Sequence, residues 1–194
     1  MKYLFACALL AAALTLFAQK GFGYKEASVV FKKGDSLRCL VKMQVDYKDT
    51  VIYKMHENGD EKILLSADIS KIRFPFKLIE NVRTDSIEKL STLLLTGRIT
   101  VYSYAILTMG KTVDIKNGAG LKFTPGTTST HYIVYKDGRY KEIREDFFRR
   151  DLAPLIKDCP GMYRKLDTEG YYFEDLVKIA TEYNSCELLL PNAE

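Results

Sequence analysis

The chain has 194 residues, 47% of them apolar, and 29 basic against 25 acidic side chains give a formal charge of +4. That length and apolar share suit one domain, or one domain with an appendage, and exclude a chain disordered by composition. Charges alternate in sign, as in Lys141, Glu142, Arg144, Glu145 and Asp146, so no basic stripe forms and nucleic-acid binding is not expected.

Residues 1–18 carry Lys2 and then an apolar run ending at Ala18, the n-region and h-region of a secretory signal peptide. The run falls short of the roughly 20 apolar residues a membrane span needs. Cleavage is expected after Ala18, with Gly23 as the alternative site and an uncleaved signal anchor as the alternative fate. Leu4 to Cys7 has the look of a lipobox, but the apolar run follows Cys7 instead of preceding it, so lipidation is not expected. Lys2 is the one charge lost on cleavage, which leaves +3. The expected product is exported, periplasmic or secreted, with no stable membrane span after cleavage.

The mature chain then alternates short strands and turns. Ala27–Phe31 reads as a strand, with a turn at Lys32–Ser36 where Gly34 can take positive φ. In the next strand Leu37, Cys39, Val41 and Met43 share one face, the pattern of a half-buried antiparallel strand. Cys39 therefore reads as a small core residue. Thr50–Met55 and Glu61–Leu65 flank Asn58-Gly59, a type I′ hairpin signal, with His56 a solvated residue beside the turn. Ile69–Phe74 is a strand ended by Pro75, which has no amide proton to donate. Residues 76–87 follow neither period.

Leu90–Leu107 is the most regular stretch, two runs of Leu, Ile, Val, Tyr and Thr around Thr96-Gly97-Arg98. Gly97 is expected to supply the positive φ of a tight reversal. Ile99, Val101, Ser103 and Ala105 point one way and Thr100, Tyr102, Tyr104 and Ile106 the other, so the second run reads as a central strand covered on both sides. Residues 116–120 and 124–130 read as loops. They lack the Gly-x-x-x-x-Gly-Lys phosphate cradle and the helix that would follow it. His131–Tyr135 and Tyr140–Ile143 form a last hairpin about Asp137-Gly138.

From residue 145 the period changes. Phe148, Leu152, Leu155, Ile156 and Cys159 recur at helical spacing, with Pro154 awkward in a helix interior. Pro160 suits the first turn of a second helix, and Phe173, Leu176, Val177, Ala180 and Tyr183 form the stripe of a third. Such short helices persist only when packed. The expected class is α+β, an antiparallel β-sandwich or partly open barrel followed by a short C-terminal helical cap. The expected division is a signal peptide at 1–18, a β-rich domain at 19–144 and a helical segment at 145–194.

Three pieces together resemble a group of exported envelope proteins of the Bacteroidota type: Lys33–Leu37, Gly97–Tyr102, and Lys157–Pro160 with Tyr183, Asn184 and Cys186. Thr100-Val101 departs from that pattern, which often has a Leu before the Tyr. The resemblance implies a β-rich body with a helical C-terminus and brings no catalytic residues with it.

Export permits disulfides, and loss of Cys7 leaves Cys39, Cys159 and Cys186, enough for one bridge. Cys39 belongs to a strand face, whereas a middle helix that turns the chain back brings the end of the last helix near Cys159. The expected pair is Cys159–Cys186, with Cys39 reduced; closing that loop contributes roughly 3 kcal/mol in the chain-entropy model. No Cys-x-x-Cys occurs and His56 and His131 lie 75 residues apart, so neither a metal site nor a cofactor is expected.

The function expected is a non-catalytic binding or structural module for an envelope protein or surface ligand, since the 13 Tyr and 10 Phe exceed what one small core needs. The alternative is an envelope hydrolase with His131 as base, although no Gly-x-Ser-x-Gly seats a nucleophile.

Overall fold

The structure, a computed structural model, describes residues 23–44, 46, 47, 49–110, 112–114, 121–123 and 126–186. The expected signal segment and the glycine-containing loop at 116–120 lie outside these residues. The chain divides into two compact units, one ending at Phe76 and the other beginning at Lys77.

The first unit is an open antiparallel sheet of β1 (Tyr24–Phe31), β2 (Ser36–Lys42), β3 (Thr50–Lys54), β4 (Lys62–Leu65) and β5 (Ile69–Phe74), in the spatial order β5-β1-β2-β3-β4. Alternation in β1 and β2 sends Ala27, Val29, Cys39 and Val41 inward, with Val51, Ile69 and Ile72 buried alongside. Gly34 takes φ +100° at the β1–β2 turn, where the Gly34 amide donates to the Phe31 carbonyl. Pro75 follows the last residue of β5, as its missing donor requires. The β3–β4 connection differs from expectation. Neither Asn58 nor Gly59 has positive φ, and a longer loop closes with the Gly59 amide donating to the His56 carbonyl at 2.9 Å. The seven residues between β3 and β4 leave room for an ordinary turn, so the two-residue I′ geometry is not forced.

The second unit holds β6 (Lys77–Arg83), β7 (Glu88–Leu95), β8 (Thr100–Thr108), β11 (Thr127–Lys136) and β12 (Arg139–Ile143), ordered β6-β7-β8-β11-β12, again an open antiparallel sheet. Short strands β9 (Thr112–Asp114) and β10 (Leu121–Phe123) pair with each other. β6 accounts for much of the stretch without a period. Ile79 and Val82 lie on opposite faces and both are buried, with Glu80 and Asn81 between them, which erases the period of two. β11 starts at Thr127 rather than His131, because Thr127–Thr130 pair in register with Thr108–Ala105 of β8. The Asp137-Gly138 turn is of type I′, with φ +50° and +80°.

Three helices follow: α1 (Phe148–Ile156), α2 (Pro160–Thr168) and α3 (Leu176–Asn184), each led by or joined to a short turn. Their apolar stripes pack on one face of this sheet. Val101, Val134 and Ile143 from the strands and Ile99 from the β7–β8 turn meet Leu152, Ile156, Met162, Leu166, Leu176, Ile179 and Tyr183 from the helices. Each fully buried Leu or Ile contributes on the order of 2 kcal/mol relative to exposure. α1 runs through Pro154 at the loss of one backbone hydrogen bond, and α2 begins at Pro160 as its fixed φ favours. The α+β reading holds: an antiparallel sheet body with a helical cap. The cap belongs to the second unit, where a two-pronged ion pair fixes its entry. Arg144 Nε and Nη2 donate to the Asp151 carboxylate at 2.9 and 3.0 Å. That bonding, against the cost of burial, holds Asp151 below the ordinary carboxylate range.

Candidate functional site

Two clusters in the second unit gather polar side chains, one on each face of the sheet. The first fastens the cap. Cys159, at the α1–α2 turn, and Cys186, just past α3, form a disulfide with Cα atoms 6.4 Å apart across 27 positions. Cys39 is free and buried in the first unit, its thiol pushed up by that burial and so poorly nucleophilic.

Beside the disulfide lies fully buried Tyr183, whose hydroxyl donates to the Asp158 carboxylate at 2.8 Å. Lys136, from the end of β11, reaches the same carboxylate at 2.9 Å and places its ammonium 4.9 Å from the Tyr183 ring centre. Burial alone would raise the Asp158 pKa, but the Lys136 and Tyr183 bonds outweigh it and hold the carboxyl below its usual range. Burial likewise opposes charge on Lys136, and its Tyr183 and Asp158 partners raise it above the ordinary lysine value.

From the other side comes the β7–β8 turn. The Arg98 guanidinium is 4.4 Å from the Tyr183 ring centre, and its Nη1 donates to the Cys186 carbonyl at 2.6 Å. Arg98 Nη2 is buried without a hydrogen-bond partner, and the electron-rich ring face supplies its compensation. Asn184 closes the cluster by mimicking a strand: its Oδ1 accepts from the Ile99 amide at 2.8 Å and its Nδ2 donates to the Ile99 carbonyl at 2.9 Å. This corrects the role expected of Gly97. Its φ is not positive; a Cβ there would instead stand 2.2 Å from Asn184 Nδ2. Gly97 is needed for close approach, not for backbone handedness. Gly97, Arg98 and Ile99 thus meet Asp158, Cys159, Tyr183, Asn184 and Cys186 of the tail in one cluster, whereas Tyr102 points to the other face.

The second cluster covers the opposite face of β8, β11 and β12. Tyr102, Tyr104 and Ile133 are buried there, with Ile106, Tyr135 and Tyr140 half-buried against them. Tyr135 and Tyr140 rings pack at 4.6 Å, and Tyr102 and Tyr140 at 6.0 Å. The hydroxyl of Tyr102 donates to Glu80 at 2.9 Å, and that of Tyr104 donates to Glu142. His131 stacks on Tyr104 at 5.0 Å. Its Nε2 is 3.1 Å from Ser129 Oγ, and its Nδ1 is 3.6 Å from Glu142 Oε1, an electrostatic contact beyond hydrogen-bond length. The sequence offers His131 as a base without a nucleophile, and the structure adds Ser129 and Glu142 beside it. Both were derivable: the period of two puts Ser129 beside His131, and the type I′ turn counts Ile133 onto Glu142. His56 is exposed in the β3–β4 loop, far in sequence from this cluster. Among the described residues no three His, Cys, Asp or Glu side chains converge as a metal set.

The chemistry of the two clusters differs. Around Tyr183 every group is engaged in holding the cap, a fastening rather than a reactive centre. The tyrosine face offers rings, hydroxyls and an imidazole on a rigid sheet.

Two predictions test the fastening. Asn184→Ala should destabilise the protein by about 2–3 kcal/mol, since two Ile99 backbone groups lose their partners. Gly97→Ala should cost about as much by expelling Asn184. Combined, the two should cost little more than either, a coupling of about 2 kcal/mol in a denaturation double-mutant cycle. The pH dependence follows from Asp158 and Asp151. Their depressed pKa values give stability that is present above the unfolded value near 4 and lost as pH falls through the folded one. Melting temperature should therefore drop below about pH 4, and Asp158→Asn should make that acid limb shallower without abolishing it.

Comparison of the chain with protein-family models, with curated proteins and with solved structures found no match.

Proposed function

We propose that the chain is a non-catalytic binding module of the cell envelope, periplasmic or secreted, which meets a partner on the tyrosine face of its second unit. The observation that carries this reading is the arrangement of Tyr102, Tyr104, Tyr135 and Tyr140 on the sheet face opposite the helices. Tyr135 and Tyr140 are half-buried over the buried rings of Tyr102 and Tyr104, and ring surface backed by a sheet gives contact area at small entropic cost. Export is supported by the Cys159–Cys186 disulfide, since such bonds persist outside reducing compartments. It is supported further by the apolar leader and by the likeness to exported envelope proteins. No helix among the described residues is long and apolar enough to cross a membrane.

A hydrolase working through His131 is the second reading, favoured by the Ser129–His131–Glu142 alignment. Against it, Ser129 is exposed on an extended strand rather than on a strained turn, and Glu142 is already engaged by Tyr104.

A photo-crosslinking residue at position 135 or 140, in intact cells, should give a defined adduct. The same residue in place of exposed Tyr163 on α2 should give none. Adducts from Tyr163 alone, or from neither face, would contradict the proposal. Fluorophosphonate labelling of Ser129 that disappears in His131→Ala would replace it with the hydrolase.

A further inference from the structure

The first unit ends in a strand with one open side. β4 is the last strand in the order β5-β1-β2-β3-β4, paired with β3 and, among the described residues, with no strand beyond it. The Ser66 amide donates to the Asp49 carbonyl at 3.0 Å, which makes Asp49 and Ser66 a hydrogen-bonded pair continuing the β3–β4 ladder. Such pairs alternate with non-hydrogen-bonded ones in an antiparallel ladder. Lys62 and Leu64 therefore turn their backbone groups toward Tyr53 and Val51. Ile63 and Leu65 turn their amides and carbonyls to the open side.

The same two residues expose their side chains, Ile63 at 66% and Leu65 at 58%. Register places them on the sheet face that carries half-buried Ile52 and Leu40, so an apolar strip runs to the edge and stops there uncovered. An edge that offers both backbone groups and apolar side chains is fitted by one more extended strand.

β4 itself meets that description in antiparallel orientation. With Leu64 on a twofold axis, Ile63 of each copy lies opposite Leu65 of the other, and each pair exchanges both backbone bonds. Ile63 and Leu65 then cover one another, while the two Leu64 side chains meet on the other face. Lys62 falls opposite Ser66, so no like charges are opposed. β4 is four residues long, and the chain leaves its line at the turn Ser66–Asp68. A longer foreign strand would run past β4 into that turn, whereas a second β4 ends where the first begins. A twofold contact also occupies the edge of each copy and so cannot propagate. We infer that the chain forms a reversible homodimer by antiparallel pairing of β4 with β4 of a second copy. This contact is independent of the tyrosine face and of whatever partner that face meets.

Sedimentation of the full chain tests it, with a dimer expected at high concentration that dissociates on dilution. Leu65→Pro removes an outward amide, and φ −77° at Leu65 already suits the proline ring. Pairing with β3 and the melting temperature of the diluted protein should be kept, and dimerisation weakened at least ~tenfold. Cysteine crosslinking under mild oxidation reads the register. Leu64→Cys should give a covalent dimer, since Cα atoms paired on the axis stand about 4.5 Å apart. Lys62→Cys is more exposed but lies about 13 Å along the strand from its counterpart, and should give none. A chain monomeric at every concentration, an unweakened dimer in folded Leu65→Pro, or equal crosslinking through Lys62→Cys would overturn the inference. Should Leu65→Pro fail to fold, the two cysteine variants decide alone.

Discussion

The second unit depends on one buried ring. Tyr183 has no exposed surface, and everything around it arrives from a different part of the chain: Arg98 from the β7–β8 turn, Lys136 from the end of β11, Asp158 from the α1–α2 turn. Two cations near one ring are costly unless a carboxylate balances them and the ring face is negative. Asp158 and the tyrosine provide both. The disulfide then shortens the open chain between Asp158 and Asn184, contributing roughly 3–4 kcal/mol in the chain-entropy model for a loop of this size. Three helices of nine residues each, too short to persist alone, are thereby held on the sheet.

Local rules carried the reading of the sequence a long way. Alternation located β2, runs of strand-forming residues located β1 and β8, and Phe173 to Tyr183 announced the last helix by its stripe. The Asp137-Gly138 turn took the geometry its residues prefer, and Cys159 found Cys186. What failed was nonlocal. Gly97 looked like a turn glycine because its need, room for Asn184, lies 87 positions away. Asn58-Gly59 carried a hairpin signature that a longer loop did not require. β6 was invisible because burial on both faces removes the alternation by which a strand is known. Of the second cluster, His131 stands out in the sequence as one of two histidines, whereas Ser129 and Glu142 become its neighbours through strand alternation and register.

The two faces of the second sheet divide the work. One is filled by helices and closed by the Tyr183 cluster, so its residues are committed to stability. The other holds the buried Tyr102 and Tyr104 rings with Tyr135 and Tyr140 half-buried against them. A rigid aromatic face of that kind needs a scaffold that does not breathe, and the fastened cap supplies the opposing support. The cap on one side and the tyrosine rings on the other are thus carried by the same strands, β8 and β11.

The claim that the cap and the central hairpin are held as one cooperative unit is tested by hydrogen exchange before and after reduction of Cys159–Cys186. The account predicts faster exchange together in α3 and in the peptide spanning Ile99–Val101, because loosening Tyr183 and Asn184 releases both. Faster exchange confined to the residues beside the two cysteines, with Ile99–Val101 unchanged, would contradict it.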